Sequence, residues 1–312
     1  MADDLEEGAR SEGESLESRR YSYLTSRLRA QIGKLLNRED YEAIMGCRST
    51  SELQAVLAKT RYAKLAARAH GLRDLNDKLM LQLSETFDFI AENIPMGAEL
   101  VGELRRALGV WCVSAAAKAR GEGTVTSKAM VVPPYGVERS RVLQARALTA
   151  AAILGLPLSE CEKSVLPLVE ETAGLHYYVI LETLSRLEES FSKTRLWEIR
   201  LARMVSSLRE AAEEGLAYYV SKAGSKLRDY MKAVPTELLG RAAARAPGTG
   251  DLGFLKKVRD VARGALLDYP FQLPVAIGAI FLVWLECYNL NVALSKVAGE
   301  VEGGEALELI VL

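Results

Sequence analysis

The chain has 312 residues, 49% of them hydrophobic and 26% charged, with a formal net charge of −1. Such a balance supplies no global basic field for holding nucleic acid, and a chain with only 9 prolines, dominated by Ala, Leu, Glu and Arg, has the composition of helices. Cys47, Cys112, Cys161 and Cys287 lie far apart without a CxxC pair, which excludes a zinc knuckle or thioredoxin-type motif and fits a reducing cytoplasm.

The opening MADDLEEGARSEGE is acidic and has no apolar core. It reads as a disordered tail over residues 1–14, not as a secretory signal. Residues 15–312 read as one all-helical domain. From Glu14 to Leu36 the apolar positions Tyr21, Leu24, Leu28, Ile32 and Leu35 recur at helical spacing, with the arginines at 19, 20, 27 and 29 mostly off that stripe. Asn37 breaks the run, and REDYEAIM forms a short second helix. GCRST is a loop, after which Ser51 is the expected cap of a helix through ELQAVLAKTRYAKLAARA, ended by Gly71. Two long amphipathic helices follow. LRDLNDKLMLQLSETFDFIAENI stops before Pro95, and GAELVGELRRALGVWCVSAAAKAR is closed by the glycines of GEG.

MVVPPYGV is a turn, since two prolines followed by Tyr-Gly cannot continue a helix, and Val131–Val137 is expected to separate helical units. TVTSKAMVV is the only strand candidate. Helices are expected over Glu138–Leu154 and Ser159–Glu171, and one very long helix over Leu175–Met204. SLREAAEEGLAYYVSKAGSKLRDYMKAV and TELLGRAAARA come next, then a glycine-rich loop at PGTGDLG, then FLKKVRDVARGALLDY. Leu273–Leu285 is continuously apolar but shorter than the ~20 residues of a spanning helix, and Glu286 and Asn289 end it. It reads as the buried core helix of a soluble chain. GEALELIVL is the last helix. STSELQAVLAKT echoes PLSECEKSVLPLVEET, and YSYLTSRLRA echoes HYYVILETLSRLEES, a pattern of stacked helical units.

Catalytic chemistry is absent from these patterns. His70 precedes the glycine of a helix end and His176 opens a helix beside two tyrosines, so both read as structural and not as ligands of a zinc or di-iron helix. DDLEE has the look of an aspartate-rich magnesium box, but it lies in the acidic tail without a second box. GEGTVTSK and APGTGDLG both lack the order G-x-x-x-x-G-K-[ST] that wraps a phosphate, and no G-x-S-x-G elbow exists. No catalytic, cofactor-binding or metal-ligating residue is assigned, and a non-catalytic protein without a small-molecule substrate is expected.

The order Tyr21-x-Tyr23, Arg27-x-Arg29-Ala30, Leu35-Leu36, Tyr41, Leu53, Leu57, Thr60-x-Tyr62 resembles the start of the C subunit of archaeal and bacterial V-type (A-type) ATP synthases. That family includes the eukaryotic V-ATPase d subunit. LECYNLNVAL is similar to the family's closing E-x-R-N-L signature, matching at Glu286, Asn289 and Leu290. It departs at Tyr288 and Asn291, where arginine is usual. The resemblance covers both ends of the chain, and the interior only in helical pattern and length.

It implies an all-α fold of three similar helical units arranged as a funnel, without a nucleotide site or cofactor. It implies a rotor subunit of the central stalk, seated on the membrane proteolipid (c/K) ring at the cytoplasmic face and receiving the shaft subunits D and F. Its role would be to transmit torque for proton or sodium transport coupled to ATP hydrolysis or synthesis. A generic helical-repeat scaffold or adaptor is the alternative, and an all-α enzyme with a closed pocket of convergent carboxylates the third reading. Arg27 and Arg29, off the core stripe, and Arg139 and Arg141, just past the proline turn, are the candidate partner contacts. Their plainer reading is a solvated helix face with local ion pairs. Glu286 and Asn289 read first as structural groups serving buried partners.

Without a phosphate cradle, the pure chain is expected neither to bind nor to hydrolyse ATP. Saturable, magnesium-dependent ATP binding in equilibrium dialysis would contradict this.

Overall fold

A computed structural model of the chain describes residues 22–94, 96–122, 139–170, 172–194, 199–245, 248, 250–267 and 273–312. All regular structure among the described residues is helical. The acidic segment 1–14, Tyr21, the strand candidate and the proline turn at Val131–Val137 lie outside them.

Helix α1 covers 22–32 and α2 Arg38–Gly46. Asn37 separates them by capping α2: its side chain accepts from the Asp40 amide, and the Asp40 carboxylate accepts from the Asn37 amide, each at 3.0 Å. Helix α3, Thr50–Leu57, begins earlier than expected, because Ser49 and not Ser51 is the cap, accepting from the Glu52 amide. Nor does α3 run on to Ala69. Thr60 donates its hydroxyl to the Leu57 carbonyl and accepts from the Tyr62 amide, so a local side-chain bond competes with the helix ladder. A single turn, α4 (Ala63–Ala66), follows, and Gln54 of α3 donates to the carbonyls of Ala66 and Ala69.

Helices α5, Leu72–Asn93, and α6, Gly97–Glu122, match expectation. The helix expected over Glu138–Leu154 is two, α7 (Arg139–Gln144) and α8 (Ala147–Ile153). At the break Arg120 takes the Ala145 carbonyl and Glu170 takes the Ala147 amide, so backbone groups of the join are satisfied from outside. Helix α9, Glu160–Val169, has the Ser159–Glu162 capping box. The single long helix expected from Leu175 is also two, α10 (Leu175–Ser192) and α11 (Ile199–Lys222). Thr194 closes α10 by donating both its amide and its hydroxyl to the Phe191 carbonyl. A 3₁₀ turn at Gly224–Lys226 leads to α12 (Leu227–Ala233) and α13 (Thr236–Ala244). Helix α14, Gly250–Leu267, already includes the Asp-Leu-Gly assigned above to a loop. Helices α15, Leu273–Val297, and α16, Gly303–Leu309, complete the chain.

Six long helices pack in a closed order, α5 on α6, α6 on α10, α10 on α11, α11 on α14, α14 on α15, and α15 back on α5. Aromatic rings fill the space between them. Trp111 of α6 stacks on Phe254 of α14 at 5.3 Å and meets Trp284 of α15 and Tyr177 of α10 edge-on, each at 5.7 Å. These are the offset and edge arrangements that aromatic quadrupoles favour. Helix α15 is long and apolar enough to cross a membrane, yet its whole apolar window is buried inside the protein. Its helix does not stop at Glu286 but runs on to Val297, 25 residues in all, with the side chains of Glu286, Asn289 and Asn291 bonded within the fold.

Gly215 on α11 admits the Tyr177 ring: a Cβ there would lie 2.3 Å from ring carbons. Gly215→Ala is therefore expected to destabilise the chain by about 1–3 kcal/mol through overpacking. An unchanged denaturation midpoint would show that Tyr177 is not held in this seat.

Candidate functional site

The residues quoted from the two ends of the chain meet at one carboxyl group. Glu286 lies on α15 and is 3% exposed. Its Oε2 accepts from the Tyr41 hydroxyl at 2.5 Å, and its Oε1 from the Tyr62 hydroxyl at 2.9 Å and the Leu36 amide at 3.0 Å. Leu36 follows α1, Tyr41 is on α2 and Tyr62 precedes α4, so one side chain ties three N-terminal segments to the core helix. Three residues on, Asn289 donates to the Val311 carbonyl and accepts from the Val311 amide, both at 2.9 Å. The C-terminal segment is thus fixed to the same helix.

Burial pushes the Glu286 carboxyl above its ordinary value, although the three donors and the Arg61 charge pull the other way. Burial and the neighbouring Glu286 charge push the Tyr41 and Tyr62 hydroxyls far up, so both remain neutral donors. Beside Glu286 a groove of ≈460 Å³ runs between α14, α15 and the end of α1. Its one acidic side chain is Glu286, whose oxygens are already engaged. A pair of convergent acids for general acid–base work is not present in it.

A second polar cluster gathers Ser114 of α6, His176 of α10 and Asp251 of α14. The Ser114 hydroxyl is 3.0 Å from His176 Nδ1, and His176 Nε2 is 3.5 Å from Asp251 Oδ1. Tyr177 and Tyr219 donate to the two Asp251 oxygens at 2.9 and 2.7 Å. Burial alone would raise the Asp251 carboxyl, but His176, the Tyr219 hydroxyl and the Lys118 charge outweigh it and hold the group below its ordinary value. Serine, histidine and aspartate in this order are the components of a hydrolytic triad. Here the cavity they share, with Lys118 and Gly174 in its wall, is ≈10 Å³. That is about the space of one water, not of an acyl substrate. His176 is buried in the core, and its Asp251 partner lies too far along the chain for spacing to reveal. His70 stands four residues before Asp74, which accepts from the His70 amide and pairs with Lys78 at 2.6 Å, a helix-start arrangement. Among the described residues no group of His, Cys, Asp and Glu could hold a metal ion.

The candidate arginines stand on two helices. Arg27 of α1 is exposed, lies 4.0 Å over the Phe89 ring and donates to the Tyr23 hydroxyl. Arg29 is half-buried and donates to the Leu266 carbonyl at 3.0 Å, tying α1 to the end of α14. Arg141 is exposed on α7, and Arg139 opens the same helix with a side chain outside the described residues. Leu24 and Leu28 are buried as the α1 stripe requires, while Tyr23 is exposed.

With its carboxyl raised, Glu286 favours the protonated native state. Its contribution to stability is full below the ordinary value of 4.5 and is lost as pH rises through the native value. Glu286→Gln is expected to remove this fall in a series of thermal melts across pH. Glu286→Ala, which strands three buried donors, is expected to cost at least about 3 kcal/mol. Equal melting curves for wild type and the alanine variant would refute the tie.

No curated protein matches the chain. Residues 24–151, from α1 to within α8, match a family model described as ATP synthase (C/AC39) subunit. Leu36, Tyr41 and Tyr62 fall inside this span and their acceptor Glu286 outside it. Through these residues, and over less than half of its length, the chain is similar to the ATP synthase (C/AC39) subunit family.

Proposed function

We propose that the chain is the non-catalytic rotor linker of a V/A-type ATP synthase, joining the shaft subunits D and F to the proteolipid ring at the cytoplasmic face of the membrane. In this role it transmits torque for proton or sodium transport coupled to ATP hydrolysis or synthesis. The observation that carries the reading is the Glu286 tie. Residues of the family's opening motif and of its closing signature are used to lock helices to one another, not to line a reactive cavity. A torque-transmitting part needs stiffness, and well-packed helices crossed by buried polar bonds supply it. Buried side chains from α1 to the C-terminal segment form one contiguous cluster, which supports residues 15–312 acting as a single unit.

The funnel of three similar units belongs to the same proposal, with a concave socket for the shaft and a mostly polar face for the ring. Arg27 and Arg141, both exposed, are offered as contacts to acidic groups of those partners, together with Arg29 and Arg139.

Purification of the complex from native membranes, then reconstitution with and without this chain, tests the role. ATP hydrolysis by the detached catalytic head is expected to persist without it, while ion pumping is lost. Pumping at full rate in its absence would sink the reading.

A further inference from the structure

We infer that the groove beside Glu286 is the seat of an acidic amphipathic helix of another subunit, an inference that rests on the proposed place in a multisubunit complex. Helix α14 lines the groove with Arg259, Arg263, Leu266 and Leu267, and α15 with Leu282, Leu285, Glu286 and Asn289. These spacings put one face of each helix along the groove for about two turns, roughly 10–12 Å at 1.5 Å per residue. A trough of that length, with leucines on both walls, fits the i, i+3 or i+4, i+7 anchors of an amphipathic helix.

The floor offers nothing to a small polar ligand. The oxygens of Glu286 and the amide of Asn289 are bonded within the chain. The rim is different. Arg263 is exposed and forms no hydrogen bond or ion pair with another described residue. Arg259, one turn before it on the same face, holds Asp260 at 2.7 Å and the Leu312 carbonyl. Leu267, one turn after Arg263, is 88% exposed, more than any other large apolar side chain among the described residues. An uncommitted cation and a bare leucine at successive turns of one helix are complementary to carboxylates flanking apolar anchors. An acyl chain would fill the trough but would bring a single charge at one end, without the paired flank that Arg263 and Leu267 together present.

The test uses the full chain in the purified complex, with the photoreactive substitution Leu267→benzoylphenylalanine and, as control, the same substitution at Ile199, which is 74% exposed on α11. Adducts are mapped by mass spectrometry. The expected result is one adduct at position 267, to a segment of another subunit with Asp or Glu beside apolar residues at helical spacing. Adding Arg263→Glu is expected to lower its yield about tenfold, since a close charge pair becomes a like-charge contact. Both positions are exposed, and an unchanged circular dichroism spectrum verifies that the variants fold. Adducts only to lipid, to residues 1–21 of this chain or to a second copy would overturn the inference. So would a silent position 267 in a complex that has assembled, and that result leaves the rotor-linker reading standing. A chain that fails to enter the ATP synthase at all overturns that reading, and this inference with it.

Discussion

The carboxyl group of Glu286 is buried, on a residue only 3% exposed, and that constraint organises the N-terminal third of the molecule. A buried carboxyl group is costly unless its lone pairs are met. Here the cost is offset by two tyrosine hydroxyls and one backbone amide, drawn from three separate segments. Each donor would in turn be an unpaired buried group without the carboxyl. The dependence is therefore mutual: α2 and the turns on either side of it cannot move from α15 without stranding polar atoms on both. Leucine packing alone would tolerate sliding by a turn, because one apolar contact replaces another. A three-donor carboxyl does not.

The same device recurs at other helix crossings. Arg186 of α10 donates to Glu103 of α6 at 3.0 Å and to Glu162 of α9 at 3.1 Å, and Arg106 holds Glu103 from the same helix. Glu162 is fully buried and also closes the capping box that starts α9. Asp251 gathers two tyrosines and His176 where α10, α11 and α14 meet. Glu213 of α11 holds Arg245, just past α13, at 2.7 Å. Such contacts add little net stability over apolar packing of equal volume, but breaking one half of any of them is expensive. Their contribution is to fix which helix faces meet. In a core rich in Ala and Leu, this distinguishes one arrangement of helices from its near neighbours.

The sequence carries the local signals and not the distant ones. Asn37 and Ser159 are legible as helix starts because each has an acid three residues on, and the whole capping box lies within four residues. Ser49 has the same spacing to Glu52, but Ser51 has Gln54 three residues on, so the local pattern offers both serines as caps and the fold uses the first. The long helix over Leu175–Met204 failed for another reason. Apolar periodicity continues across the Thr194 turn, so the pattern alone cannot show that a threonine closes the ladder onto Phe191. Glu286 was legible as a polar break in an apolar run, but its three donors lie 224 to 250 residues away in the chain. The Ser114–His176–Asp251 cluster was invisible for the same reason. Arg29 was legible as off the core stripe, but its carbonyl partner on Leu266 has no sequence signature at all.

The Glu286 tie also bears on what the matched span means. The family match ends at residue 151, and a reader of sequence alone could take 24–151 as a module with an unrelated remainder. The buried donors argue otherwise. Leu36, Tyr41 and Tyr62 all point at an acceptor on α15, and α2 and α5 both pack on that helix. Cut at residue 151, the matched part would keep three buried donors without their acceptor and would expose the face of α5 that α15 covers. At about 1–3 kcal/mol for each unsatisfied group, the loss rivals the whole stability of an ordinary domain. The matched residues are therefore not a self-sufficient folding unit. The N-terminal segments are thus held to the central helix of the C-terminal half by the Glu286 bonds, besides the packing of α2 and α5 on α15.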